Sequence, residues 1–306
     1  MEELSKSEII REIQLVNYKS LKKLDEICKK YDIKYWIAYG TLLGAVRHKG
    51  FIPWDDDLDL GMLREDYEKL CNVPKEEWGE DCLFCDGYSS DIRHDKAFGR
   101  VYQKNTRIQS YDDVNNWRNP MDGSAWYTSF MCDVFIFDMV KDNSQWDRLY
   151  SKLKFYKILK LQPKLKRGNP KEFFTSLVKL LIYRVSRVIY KNPFLTLMTS
   201  FEKDISQLAK GDKIATYYTS DPNIYDFEDI FPLKTIQFED MMVPVPNNYD
   251  KLLKDMYGNY MEYPPENERY HINFIFADLG NGKKYIIDPV SCSLGWQDNQ
   301  QANKNC

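Results

Sequence analysis

The stretch IPWDDDLDLGM, residues 52–62, sets four carboxylates into five positions. Asp55, Asp56, Asp57 and Asp59 follow a tryptophan and are interleaved with Leu58, Leu60 and Met62. On extended backbone, side chains alternate with period two, so Asp55, Asp57 and Asp59 would share one face and the apolar residues the other. The apolar face can pack on a core. The acidic face must meet water or cations, because like charges held this close repel and raise one another's pKa. A solvated acidic loop is the plain alternative. The sharper reading is a divalent-cation site. An all-oxygen set suits Mg²⁺ or Mn²⁺, and Mg²⁺ is ordinarily shared between one or two carboxylates and substrate phosphates.

Two other acidic patterns fit less well. In an EF-hand loop, Asp55, Asp57 and Asp59 would fill positions one, three and five. Position six is then Leu60 rather than glycine, position twelve is Asp66 rather than glutamate, and Pro53 interrupts the incoming helix. The DxD of a nucleotide-sugar glycosyltransferase usually follows a nucleotide-binding βαβ region. Here one helix, one short strand and one turn precede it.

The flanking residues sharpen the cation reading. YWIAYG reads as a short strand ended by Gly40, and TLLGAVR as a helix opening at Thr41, a suitable N-cap. HKGFIP breaks that helix at Gly50 and Pro53, and the acidic strand follows. A glycine after a strand lets a phosphate approach the backbone, and the helix N-terminus beside it offers unpaired N–H groups. Carboxylates nearby can hold a metal against the same phosphates. A third acid is expected from a neighbouring strand. Asp133, inside MCDVFIFDMV, is the candidate, because burial of an unpartnered carboxylate in an apolar strand is costly; a salt-bridged strand acid is the alternative. Asp138, at the end of the same run, reads as structural.

Elsewhere the pattern alternates helix and strand. Residues 7–31 form an amphipathic helix in which Leu21, Leu24, Cys28 and Tyr31 follow three-four spacing. A helix over 64–71 follows the acidic strand, and AFGRVYQKNTRI and MCDVFIFDMV read as strands rich in β-branched and aromatic residues. Helices are expected over 145–161, 171–190 and 194–208, then strand, turn and helix in FEDMMVPVPNNYDKLLKDMYG.

With 306 residues and 43 % hydrophobic content, the chain can bury a substantial core. Seven cysteines without framework spacing give no reason to expect an oxidising compartment. The lone C-x-x-C at Cys82 and Cys85 reads as structural rather than as a zinc site. The opening MEELSKSEII is acidic and polar, unlike a signal peptide, and no long uncharged apolar run is present. The expected location is therefore cytoplasmic.

Charge is unevenly spread. Residues 148–191 hold thirteen Lys/Arg and one acid, Glu172, a local net of +12 in a chain whose net charge is −3. The half FFTSLVKLLIYRVSRVIY is also strongly apolar, with Arg184, Arg187 and Lys191 at three-four spacing. Such a helix can lie in a membrane interface at the inner face of the membrane, or pack its apolar side on the core with its charges solvated. A nucleic-acid partner is not expected.

AYGTLLGAVRHKGFIPWDDDLDLGM resembles the opening motif of the LicD family, which includes phosphocholine transferases and fukutin-related proteins. CDVFIFD is similar to a second family segment, although Ile136 and Phe137 stand where the family usually has proline and leucine. FEDMMVPVP followed by YGNYMEYPP resembles the C-terminal pattern. The resemblance covers most of the chain apart from residues 141–225. It implies an α/β (α+β) chain of nucleotidyltransferase-like fold, a mixed sheet flanked by helices with a helical insertion. The divisions would be a catalytic core over 1–140, a basic helical insertion over 141–225, a C-terminal part of the catalytic domain over 226–290 and a polar tail over 291–306.

The resemblance further implies metal-dependent transfer of a substituted phosphate from a CDP-activated donor to a glycan hydroxyl. CDP-choline is the expected donor, with CDP-ribitol, CDP-glycerol and CDP-ethanolamine as alternatives. The acceptor would be a cell-surface glycan of teichoic acid, lipopolysaccharide or capsule type, or its lipid-linked precursor. Gly40 and Thr41 match the phosphate-binding turn, Asp57 and Asp59 the metal-binding pair, and Asp133 the third acid, which could also take the proton from the acceptor hydroxyl. Arg47, Lys96 and Arg100 are candidates for the donor phosphates, as are His48 and Lys49, with a solvated basic face as the alternative for each. His271 is a weaker site candidate. Tyr39, Trp54, Trp126 and Tyr127 could meet a choline cation through their ring faces. A catalytically silent glycan-binding protein is the reading from another class, disfavoured by three convergent acids.

Overall fold

The computed structural model describes residues 5–86, 98–110, 117–118, 129–153, 156–160, 162–207, 211–216, 224–266, 269 and 274–286. The chain opens with α1 (Lys6–Lys30), whose start is fixed by a capping box between Ser5 and Glu8. There follow β1 (Trp36–Ile37), α2 (Tyr39–His48), β2 (Asp59–Leu63) and α3 (Arg64–Cys71). A 3₁₀ turn (Lys75–Trp78) leads to β3 (Cys82–Cys85), β4 (Gly99–Gln103), β5 (Arg107–Ser110), β6 (Trp117–Arg118) and the long β7 (Met131–Val140). A mainly helical stretch comes next: α4 (Asn143–Leu153), α5 (Tyr156–Lys160), β8 (Gln162–Pro163), α6 (Pro170–Ile189) and α7 (Pro193–Ser206). The chain then returns through β9 (Lys213–Thr216), β10 (Ile224–Asp226), α8 (Phe227–Ile230), the hairpin β11 (Lys234–Phe238) and β12 (Met241–Val245), α9 (Tyr249–Tyr257), β13 (Phe274–Asp278) and β14 (Lys284–Ile286).

The central sheet is mixed, as expected of an α+β chain. Its order is β1-β2-β7-β4-β3, with β9 pairing β7 and β10 pairing β9. Among its described strands only β2 and β7 run parallel. Ten residues let β7 serve two partners: its first half pairs with β4 and its second with β9. Val134, Ile136, Phe137 and Val140 are buried along it, so β7 is the spine of the core. The strands β9 and β10, inside the stretch expected as an insertion, therefore extend this same sheet.

α1 packs across β4 and β7 and buries Leu21, Leu24 and Ile27. α3 lies on β2 and β7. Trp36 on β1 is buried against Gly61 on β2, where a Cβ would come within 2.4 Å of the indole. At the far end of β2, Arg64 donates two hydrogen bonds, of 2.6 and 2.7 Å, to the buried Asp138 of β7. Asp138 is thus the structural acid its position indicated.

Two expectations change. Helix α2 begins at Tyr39, with Ala38 as an N-cap that makes no side-chain bond, so Thr41 lies inside the first turn. Its hydroxyl accepts instead from the Asp59 N–H at 2.8 Å, which ties α2 to β2. The acidic stretch is not one strand either. Residues 53–54 form a turn, 55–58 carry no regular structure, and only Asp59 enters β2. Pro53 cannot donate to a ladder and reverses the chain there. Asp55, Asp56 and Asp57 are therefore gathered by a turn rather than by strand alternation, and Asp59 follows on β2.

Candidate active site

The site lies where the first turn of α2 meets the N-terminal end of β2. The Ala38 N–H donates to Asp59 O at 2.9 Å and the Asp133 N–H to Leu58 O at 2.8 Å, so three segments are stitched at this edge. Parallel pairing sets Asp59 opposite Asp133, and antiparallel pairing sets Arg100 on β4 opposite Asp133. The three side chains form a row across neighbouring strands. Arg100 Nε donates to Asp133 Oδ1 at 2.7 Å. Asp133 thus meets the salt-bridged alternative, yet its partner belongs to the same row.

The acidic turn is clamped from behind by two buried amides of α1. Gln14 Nε2 donates to Ile52 O at 3.0 Å and to Asp55 O at 2.7 Å. Asn17 Nδ2 donates to Asp56 O at 2.7 Å. With the carbonyls held back in this way, Asp55, Asp56 and Asp57 each bring a carboxylate oxygen within 4.8 Å of the others. Gly40 contributes space: a Cβ there would stand 2.8 Å from Asp55 Oδ2. The gap above this glycine accommodates a carboxylate. The neighbouring Tyr39 takes a positive φ of 47°, a backbone state that only surrounding contacts sustain in a tyrosine.

Charge crowding follows. Burial, and then Asp55, push Asp56 up to about 7. Burial, then Asp56, Asp55, Asp59 and Asp133, hold Asp57 well above the ordinary carboxylate value. Burial, then Asp133 and Asp55, do the same to Asp59, with Arg100 acting against them. Asp57 is exposed and Asp55, Asp56 and Asp59 are half-buried, so water tempers the desolvation and mutual repulsion is the firmer cause. Hard oxygen donors that repel one another in this way are the donor set a divalent cation satisfies. Asn17 Oδ1, buried without a hydrogen-bond donor, is a further acceptor on the residue that clamps the turn.

The basic candidates separate. Arg100 joins the row. Arg47 does other work: its Nη1 donates to Tyr260 O at 2.8 Å and Glu262 O at 3.1 Å, its Nε to His48 Nε2 at 2.9 Å, and its guanidinium covers Trp54 and Tyr263. Arg269 covers the same two rings. The Trp54 and Tyr263 faces therefore already carry guanidinium cations. Burial, then Arg47, lower the His48 pKa. The Lys49 carbonyl accepts from the Glu239 N–H at 2.8 Å, and Glu239 is held by Arg11 through bonds of 2.8 and 2.7 Å. Tyr39 meets Phe135 edge-on. Cys82 and Cys85 lie three apart on one strand, and the Cys82 sulfur accepts from Gln103. Lys96, Trp126, Tyr127 and His271 lie outside the described residues.

Several contributors escaped the sequence reading. Asp56, which alternation would turn to the other face, joins Asp55 and Asp57 because the backbone turns. Gln14 and Asn17 left a signal, two amides on the otherwise apolar face of α1. Tyr257, at the end of α9, is pushed up to about 12 by burial and then by Asp59 and Asp55, which places its hydroxyl in the field of the acids. It keeps 43 % of its surface in solvent, so the carboxylates are the more dependable cause.

Comparison with known proteins adds three matches. Residues 32–129 match the family model described as LicD/FKTN/FKRP, nucleotidyltransferase domain. That match includes the α2 turn, the acidic stretch and Arg100, and stops short of Asp133. The chain is 27 % identical over 268 residues to the lipopolysaccharide cholinephosphotransferase LicD of Haemophilus influenzae, covering 86 % of this chain and 96 % of that protein. It is 56 % identical over 34 residues to the human ribitol 5-phosphate transferase FKRP, covering 11 % of this chain and 7 % of that protein.

Proposed function

We propose that the chain is a LicD-type transferase that moves phosphocholine from CDP-choline to a hydroxyl of a cell-surface glycan or its lipid-linked precursor, a reading supported by the family match over residues 32–129 and the Haemophilus relative. The observation that carries this reading is the group of Asp55, Asp56 and Asp57 beside the first turn of α2, with Asp59 and Asp133 in register on the adjoining strands. Asp55, Asp56 and Asp57, with Asp59 beside them, would hold Mg²⁺ or Mn²⁺, which when bound offsets the charge of the donor diphosphate and of its leaving group. Gly40 leaves room for the Asp55 carboxylate at that turn. Arg100 orients Asp133 through Oδ1 and supplies positive charge at the same end of the sheet. Asp133 takes the acceptor proton as the hydroxyl oxygen attacks the choline-bearing phosphorus. The bond from that phosphorus to the bridging oxygen breaks, and CMP departs with the electron pair.

The choline assignment draws on the Haemophilus relative, which this chain matches over 96 % of its length. The FKRP similarity favours a second reading in which the donor is CDP-ribitol. Initial rates of CMP release with lipopolysaccharide acceptor and Mg²⁺, measured for CDP-choline, CDP-ribitol and CDP-glycerol, separate the two. Choline transfer predicts a kcat/KM for CDP-choline at least about 10-fold above either polyol, a margin of about 1.4 kcal/mol. A polyol preference would move the assignment to the second reading. Release unchanged by acceptor or metal for every donor would remove both.

A further inference from the structure

Helix α6 lies at the surface with its apolar side outward. Among its twenty residues only Ser176 is buried. That serine marks the inner side: its hydroxyl accepts from the Lys166 N–H at 3.0 Å. Arg187, on the same side, donates to Leu159 O at 3.3 Å and covers Tyr183. The outer side carries Phe174, Leu177, Val178, Leu181, Val185 and Val188, all exposed, with Phe174 at 64 %, Leu181 at 61 % and Val188 at 87 %. At 100° per residue these six fall within an arc of roughly 100° centred opposite Ser176. The helix is well formed in its own right, with Pro170 in its first turn and the Asn169 side chain accepting from the Glu172 N–H at 2.9 Å. An apolar stripe that its own fold turns to solvent calls for an occupant.

We infer that α6 is an interfacial helix that seats this protein on an anionic lipid bilayer, with the stripe in the acyl boundary and its basic margins among the lipid phosphates. Charge identifies the occupant. Lys171 borders the stripe on one side and Arg184 on the other, and Lys191 follows the helix end; all three are exposed. The only acid on the helix is Glu172. This arrangement, apolar centre and basic rims, is the one that lies in the plane of a membrane interface. A second copy seated stripe to stripe would press the two basic rims together. No described helix is long and apolar enough to cross a membrane, so the contact is peripheral. Arg187, grouped with Arg184 and Lys191 by spacing alone, faces inward and is not part of the contact.

The inference stands apart from the transferase reading, because its readout is lipid binding. The full chain is pelleted with sucrose-loaded vesicles of phosphatidylcholine alone and of phosphatidylcholine with phosphatidylglycerol, at low and high salt. The expected result is pelleting with the anionic vesicles that falls with added salt. Replacing Lys171, Arg184 and Lys191 together by Gln, or Leu181 and Val188 by Asp, should each weaken it at least tenfold while the melting temperature stays unchanged. No pelleting with anionic vesicles at low salt overturns the inference. Pelleting indifferent to lipid charge and to both variants overturns it as well. A concentration-dependent dimer abolished by the Asp variant, without vesicle binding, would assign the stripe to a second copy instead.

Discussion

Asp56 and Asp57 load the metal-free protein with repulsion that a divalent cation would relieve, and that has a pH signature. In the unfolded chain these groups release their protons near pH 4. In the folded chain Asp56 holds its proton to about 7, and Asp57 is raised as well. A raised folded-state value contributes stability that is fully present below the unfolded value and is lost as pH rises through the folded one. Glu239 beside Arg11 and Asp229 beside Lys251, whose values are depressed, act in the opposite sense below pH 5, and His48, lowered by burial and Arg47, opposes the effect between pH 5 and pH 7 as one imidazole against the raised Asp56, Asp57 and Asp59. In EDTA the melting temperature should therefore fall between pH 5 and pH 7, and Asp57→Asn should flatten that slope. Added Mg²⁺ should raise the melting temperature more at pH 8 than at pH 5. A melting temperature in EDTA that climbs steadily over this range would remove the carboxylate repulsion from the account.

At the scale of elements, the join of β1, β2 and β7 positions the acids, and its tightest point is Trp36 against Gly61. Gly61→Ala drives a methyl into the indole at 2.4 Å, and overpacking of a filled core costs about 1–3 kcal/mol. The variant should unfold at lower denaturant with an unchanged m-value, and catalysis should suffer beyond the stability loss because β2 carries Asp59. Full stability in Gly61→Ala would show that the two strands can part freely. Periodicity made α1, α3, β7, α6 and the β11–β12 hairpin followed by α9 legible, because each carries an uninterrupted apolar pattern. It misplaced the acidic stretch. Asp55, Asp57 and Asp59 alternate as a strand would, but Pro53 and the amides of Gln14 and Asn17 bend the chain before Asp59. The α2 start was missed by two residues because Thr41, a good capping residue, spends its hydroxyl on β2. Long-range partners of this kind leave no local trace, which is also why the tie of Arg47 to residues 260–262 could not be read in advance.

Across the whole molecule, charge is divided between a basic helical stretch at residues 148–191 and an acidic remainder that contains the site. The match to the LicD/FKTN/FKRP nucleotidyltransferase family model covers the α2 turn and the acidic stretch, and β7 brings in Asp133 from beyond it. The account's central claim is that these carboxylates bind the donor phosphates through a divalent cation. Isothermal titration of CDP-choline into the protein, with Mg²⁺ and with EDTA, tests it most directly, with Asp57→Asn and Asp59→Asn run alongside. The predicted result is donor binding in Mg²⁺ that weakens at least about 100-fold, or about 2.7 kcal/mol, in EDTA and in either variant, while both variants keep the wild-type fold. Binding of equal strength in EDTA and in both variants would contradict it.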